Sequence, residues 1–196
     1  MMFHKASKKA FLCPTKVGTF TVCHFLNSVG WKSLGGPHRF FEEYVEKYPN
    51  LLNYKVYCFL RNPLARFESA ILHLKQMPYT RAQFQDLINE QRLNETIQTI
   101  SYDQVVDKFT AIDKQFDMLF KPQTAWFTYA NAQALDFENL ESELRRVAES
   151  YEQPMKWYNK STDFGRSVVT QKVKDFVLEY YAADYQFAKD VLGKEY

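Results

Sequence analysis

Three groups of residues in this chain have the types and spacing to do chemistry. The first is Cys13-Pro14-Thr15-Lys16-Val17-Gly18-Thr19-Phe20-Thr21. A short apolar run ends there, a glycine-containing turn follows, and a pattern with helical spacing begins. Amides at a helix start have no partner within the helix, and the helix dipole adds roughly half a positive charge. Such a turn suits an anion. The expected ligands are the backbone N–H groups of Val17, Gly18, Thr19, Phe20 and Thr21, the hydroxyls of Thr19 and Thr21, and the mobile charge of Lys16. The ATP-type loop GxxxxGK[ST] is different, because its lysine follows the last glycine, whereas Lys16 precedes Gly18. Alone, the segment reads equally well as an ordinary helix start beside a surface lysine.

The second group is Arg61-Asn62-Pro63-Leu64-Ala65-Arg66-Phe67-Glu68-Ser69. Arg61 leaves the end of an aromatic and β-branched run, Tyr54 to Leu60, that reads as a strand. Pro63 suits the first turn of a helix, where its missing N–H costs nothing. Arg66 and Ser69 then share one helix face. A guanidinium fork and a hydroxyl together suit a phosphate monoester. Taken singly, Arg61 reads better as the partner of a buried carboxylate, and Ser69 as a small packing residue; it is their spacing as a set that favours the phosphate. The third group is the set of proton acceptors: His4 in a terminus read as loose, His24, His38 and His73, with Glu42 and Glu43 one turn beyond His38.

The elements that must position these groups follow from periodicity. Lys9 to Cys13 reads as a short buried strand, and Thr19 to Val29 as a helix burying Val22, Phe25, Leu26 and Val29. His38 to Lys47 reads as a helix stopped by Pro49. After the strand Tyr54 to Leu60, a helix carries Leu64, Phe67, Ile71 and Leu74 on one stripe up to Pro78. Residues 79 to 100 read as short polar helices, and Tyr102 to Phe120 as one helix stopped by Pro122. Thr124 to Tyr129 and Ala134 to Phe137 read as strands. Leu140, Leu144, Val147 and Tyr151 mark an amphipathic helix. Val173, Val177, Tyr180, Asp184 and Phe187 mark a long C-terminal one. The expected fold is α/β: a single domain over residues 1–196 with a mostly parallel central sheet flanked by helices. Ligands of such sheets sit beyond the carboxyl ends of the strands, which is where the first two groups fall.

Composition narrows the function. Lys and Arg number 25 against 23 Asp and Glu, a net charge of +2, so a protein that coats nucleic acid is not expected. Three cysteines without CxxC spacing argue against a disulfide framework or a zinc site and for a reducing compartment. No His/Cys/Asp cluster has ligand spacing, so no metal is expected. No apolar run approaches membrane-spanning length and no signal peptide is evident, so a cytoplasmic chain without a membrane partner is expected. The 13 Tyr, 17 Phe and 3 Trp suit a thick core with some stacking surfaces.

The sequence resembles the sulfotransferases that use 3′-phosphoadenosine-5′-phosphosulfate (PAPS), most closely their carbohydrate branch. Pro14 to Thr21 is similar to the family's 5′-phosphosulfate loop. Arg61 to Ser69 is similar to its 3′-phosphate motif, Arg-Asp/Asn-Pro-x-x-Arg-x-x-Ser. Asn159-Lys160-Ser161 and Tyr181-Ala182-Ala183-Asp184-Tyr185 resemble its C-terminal segments, and Lys121-Pro122-Gln123 and Phe137-Glu138-Asn139-Leu140 its connections. One departure is Thr15, which separates Pro14 from Lys16 where the family has Pro-Lys. The resemblance implies a P-loop-like phosphosulfate-binding turn and sulfuryl transfer from PAPS, without metal, to a hydroxyl on a glycan or small molecule. Lys16 would stabilise the leaving 5′-phosphate. Arg61 and Ser69 would bind the 3′-phosphate, with Lys160 and Ser161 closing over the nucleotide and Arg166 assisting. His38 would be the base, with Glu42 or Glu43 as alternatives. Residues 74 to 110, with Tyr79, Arg81, Arg92 and Tyr102, would help line the acceptor cleft. Other readings stay open at this point: a P-loop-type kinase of a small substrate, a non-catalytic nucleotide-binding module, or an α/β domain whose basic pocket is structural.

Overall fold

The computed structural model describes residues 1–36, 38–88, 100–127, 132–158 and 167–196. The chain opens with strands β1 (Met2–His4) and β2 (Lys9–Leu12), helix α1 (Thr19–Ser28), strand β3 (Lys32–Ser33) and helix α2 (Phe41–Lys47). A 3-10 turn, Pro49–Asn53, leads into β4 (Lys55–Leu60), α3 (Pro63–Gln76) and α4 (Pro78–Ile88). Four short helices come next: α5 (Tyr102–Asp107), α6 (Phe109–Gln115), α7 (Asp117–Phe120) and α8 (Thr124–Phe127). Strand β5 (Gln133–Asp136), a 3-10 turn Phe137–Asn139, α9 (Leu140–Ala148), α10 (Gln171–Tyr180) and α11 (Ala182–Leu192) complete it. The chain divides into two compact units. The first comprises Met1–Asn62, Pro122–Lys160 and Ala183–Tyr196, and the second Pro63–Lys121 and Ser161–Ala182.

The first unit holds a single five-stranded open sheet in the order β3-β1-β2-β4-β5. The pairs β2–β4 and β4–β5 are parallel, while β1–β2 and β1–β3 are antiparallel. The fold is therefore α/β, but the sheet is mixed rather than mostly parallel. The difference lies at one edge. β1 returns directly into β2 through residues 5–8, a connection too short for a parallel crossover, with Lys8 in the left-handed region at φ 50°. Strands this short leave no periodic signal, and His4, expected in a loose terminus, is a strand residue whose ring stacks on Trp31 at 5.8 Å.

The parallel strands are buried on both faces, which explains their near-continuous apolar sequence. Phe11 is paired with Tyr57 and Phe59 with Leu135, so these side chains share one face. They form one core with Val22, Phe25 and Leu26 of α1 and Leu140, Leu144 and Val147 of α9.

The second unit is helical and built on aromatic rings. Phe67 of α3 lies 6.1, 5.8 and 5.8 Å from Phe109, Phe120 and Phe176. The expected helix over Tyr102 to Phe120 is three short helices, interrupted at Lys108 and Phe116. These breaks let Phe109 and Phe120 meet edge to face at 5.3 Å, an arrangement favoured beyond its buried area. Arg66 is 1% exposed and donates to the carbonyls of Leu119 and Lys121 at the end of α7. It caps that helix, a structural use that differs from the expected phosphate contact. The long C-terminal helix is likewise two, parted at Tyr181, whose hydroxyl donates to the Phe120 carbonyl at 2.7 Å.

Among the described residues, no helix is long and apolar enough to cross a membrane.

Candidate functional site

The first unit gathers most of the candidate residues around the turn between β2 and α1. Strand β2 ends at Leu12, and α1 begins with Gly18 as its N-cap at φ 70°, ψ 28°. A glycine there avoids the steric cost of a left-handed residue, and it also makes room. A β-carbon on Gly18 would lie 3.1 Å from Leu140 Cδ1 and 3.1 Å from Phe137 Cε2. Glycine has no side chain to cap the helix, so the first amides of α1 have no side-chain cap.

The two threonine hydroxyls expected to face an anion have partners inside the fold. Thr19 Oγ1 donates to the Pro14 carbonyl at 2.9 Å, closing the turn. Thr21 Oγ1, 1% exposed, accepts from the Tyr158 amide at 3.0 Å and tethers that segment to α1. Val17 is buried in the core and anchors the turn, while Phe20 is 58% exposed. Both hydroxyls are thus engaged within the fold.

Lys16 has φ 63°, a conformation that costs a bulky residue on the order of 1 kcal/mol or more. A contact from β4 offsets part of that cost. Arg61 Nη1 donates to the Lys16 carbonyl at 2.9 Å, and the Arg61 guanidinium lies 4.8 Å over the Phe137 ring. Phe137 therefore packs beneath both Gly18 and Arg61. Thr15, the residue separating Pro14 from Lys16, is buried at 6% exposure, just ahead of the left-handed lysine.

His38 also closes on this turn. Its Nδ1 lies 2.9 Å from the Cys13 carbonyl. A carbonyl only accepts, so Nδ1 carries the proton and the lone pair of the neutral ring is on Nε2. Burial lowers the pKa of His38, the Cys13 carbonyl opposes that shift, and the Lys16 charge lowers it further. Lysine and histidine are thus within electrostatic reach of each other. The backbone of His38 is left-handed at φ 65°, and the helix expected from His38 begins only at Phe41. Glu43 Oε1 accepts from the Phe40 amide at 2.9 Å. It serves as a helix cap, which leaves Glu42 as the carboxylate alternative to His38. His24 stacks on Tyr158 at 4.2 Å.

Behind Arg61 lies a polar arrangement that the sequence reading did not assemble. Gln123, 0% exposed, brackets the Arg61 backbone: its Oε1 accepts from the Arg61 amide at 3.0 Å and its Nε2 donates to the Arg61 carbonyl at 2.8 Å. The carboxylate of Asp184, also 0% exposed, accepts from the amides of Gln123 and Thr124 at 2.8 Å each. Those two bonds start α8 as a helical turn and override the β-propensity that suggested a strand from Thr124. One signal was present in the sequence. Asp184 sits on an apolar helical stripe, and a buried carboxylate needs donors.

Ser69 is carried by α3 of the second unit and is buried. Lys160, Ser161 and Arg166 lie outside the described residues, as does Arg92. Among the described residues, no group of three or more His, Cys, Asp or Glu could hold a metal ion. Comparisons with protein-family models, with curated proteins and with solved structures find no match to this chain.

Proposed function

We propose that this chain is a sulfotransferase that moves a sulfuryl group from PAPS to an acceptor hydroxyl on a glycan or small molecule. One observation supports the reading most strongly: a lysine, an arginine and a histidine from three separate segments meet at the β2–α1 turn. Arg61 is bonded to the Lys16 carbonyl and His38 to the Cys13 carbonyl. The turn follows one parallel strand and Arg61 follows its neighbour, the place where open α/β sheets take ligands. The motif from Arg61 to Ser69 adds the 3′-phosphate that distinguishes PAPS from ATP.

PAPS supplies an activated sulfuryl group on a phosphate leaving group. Little covalent work is then left to the protein, and positioning with charge stabilisation carries the rate, as in phosphoryl transfer. The amides of Val17 to Thr21 hold the 5′-phosphosulfate. Lys16 stabilises the charge that develops on the 5′-phosphate as the bridging S–O bond breaks. His38 Nε2 accepts the acceptor proton as the new S–O bond forms. By the sequence resemblance, the 3′-phosphate is assigned to the Arg61–Ser69 motif, and Lys160, Ser161 and Arg166 are assigned to the rest of the nucleotide. The turn suits a doubly anionic group: it offers uncapped amides, a lysine, and close packing at Gly18 that excludes a side chain.

Thermal denaturation tests this. The product nucleotide PAP, with a metal chelator present, is expected to raise the melting temperature. At a hundredfold excess over Kd the gain is about 2.7 kcal/mol, or roughly 5–10 °C for a chain of this size. Stabilisation by ATP–Mg²⁺ and none by PAP would replace this reading with a kinase.

A further inference from the structure

Cys13 and Cys23 bracket the turn. Cys13 is the first residue after β2, and Cys23 lies on α1. Their sulfurs are 3.8 Å apart, and both are free thiols. We propose that Cys13 and Cys23 form a reversible dithiol–disulfide pair, oxidised by hydrogen peroxide, that locks the 14–18 turn onto α1.

The two thiols are suited to different roles. Cys13 is 3% exposed, whereas Cys23 is only partly buried and open to a small oxidant. The thiol hydrogen bond between them favours ionisation of Cys23, while the same bond and burial hold the Cys13 proton in place. The thiolate is the reactive form. The Cys23 thiolate attacks one oxygen of hydrogen peroxide, the O–O bond breaks, and Cys23 becomes a sulfenic acid as the other oxygen leaves as hydroxide and takes up the proton that Cys23 released on ionising. The Cys13 sulfur then attacks the Cys23 sulfur, the S–O bond breaks, and a second water carries off the Cys13 proton. Two thiols are oxidised by two electrons and one peroxide is reduced to two waters. A thiol reductant reverses the link by exchange.

The geometry gives the link a consequence. Closing the sulfurs to a bond of about 2.05 Å ties the end of β2 covalently to the flank of α1. The carbonyl of Cys13 holds His38, and the turn between the two cysteines contains Lys16 and Gly18. Cys58, 0% exposed in β4, is not part of the pair. This inference does not rest on the sulfotransferase reading, because its first readouts are chemical and structural.

The test uses the full chain treated with a small excess of hydrogen peroxide. Free thiols, counted after denaturation, should fall from the three present to one, with peptide mapping showing a Cys13–Cys23 link and Cys58 still alkylable. Hydrogen exchange of the amides from Thr15 to Thr21 should slow, and dithiothreitol should restore both values. The variant Cys23→Ser should keep Cys13 reduced under the same treatment. The proposal is overturned if wild-type Cys23 accumulates as sulfenic or sulfinic acid with Cys13 still free, if the mapped link joins Cys58, or if exchange in the turn is unchanged by a complete link.

Discussion

His38 and Lys16 both occupy the left-handed backbone region, and both side chains belong to the turn that ends β2. Backbone strain clusters at functional segments, and the tautomer of His38 gives the strained pair a chemical form. Burial lowers its pKa below the ordinary 6.5, so the ring is neutral at pH 7 with its Nε2 lone pair available. The acid limb of the turnover profile is then expected below pH 6.5. His38→Ala should lower turnover on the order of a hundredfold or more while the PAP-induced rise in melting temperature persists. Unchanged turnover would remove His38 from the chemistry. The linkage has a definite sign. The folded pKa is depressed, so the stability contribution of His38 is present above pH 6.5 and is lost as pH falls through the folded value. A second residue, far from this chemistry in kind, tests the same physics. Lys75 is 4% exposed, donates to the Ile100 carbonyl and Ser167 Oγ, and lies over the Tyr102 ring. Burial pushes its pKa down from 10.5 to about 8. The unfolded chain therefore binds one more proton than the folded chain between those values, and stability should rise across that window by an amount on the order of a few kcal/mol. Denaturant titrations of wild type and Lys75→Met from pH 7.5 to 10.5 isolate it. Parallel curves would show that Lys75 is hydrated.

At the scale of elements, the carboxyl end of β4 depends on a side chain that mimics a neighbouring strand. Gln123 completes both backbone hydrogen bonds of Arg61, and Asp184 fixes Gln123 by its amide. Gln123→Ala strands a donor and an acceptor at Arg61, and is expected to cost about 2–3 kcal/mol in chemical denaturation. Asp184→Asn keeps an acceptor for one amide but turns its NH₂ toward the other, and should cost about as much. Losses under roughly 0.5 kcal/mol for both would mean that water replaces these bonds. The same elements show where the sequence was readable. Strands β2, β4 and β5 and helices α1, α3 and α9 stood out because each buries a continuous run or a clear stripe. The strands β1 and β3 did not, because three and two residues hold no period. The helix break at Tyr181 and the helical start at Thr124 are set by tertiary partners, Phe120 and Asp184. No local propensity encodes them. The site divides in the same way. The lysine turn and the Arg61 motif were legible as spacing. Their junction was not, because Arg61 and Lys16 are 45 residues apart in sequence.

For the molecule as a whole, the question raised by the proposed function is how a chain of net charge +2 would bind a multiply charged nucleotide without binding every polyanion. Among the described residues, several surface charges are cancelled locally. Lys9 pairs with Glu149, Arg145 with Glu141, Arg146 with Glu143, Lys172 with Asp107, and Lys194 with Asp136 and Glu138. Exposed pairs of this kind add little stability. Their effect is on the field: each pair cancels its own charge locally, and charges more than about 10 Å apart are screened at ordinary salt. Lys16 and Arg61 differ in setting. They sit at strand ends, partly buried, beside the uncapped amides of α1, where screening is weaker. Selectivity for a small anion over a polyanion should follow. Fluorescence anisotropy at about 0.15 M salt should detect no binding of a duplex DNA up to micromolar protein, the range in which non-specific binders already associate. PAP should still bind under those conditions, and excess duplex should not displace it. Duplex binding tighter than about 10⁻⁶ M would show that positive charge is spread over the surface, and would remove the argument that the β2–α1 turn concentrates it.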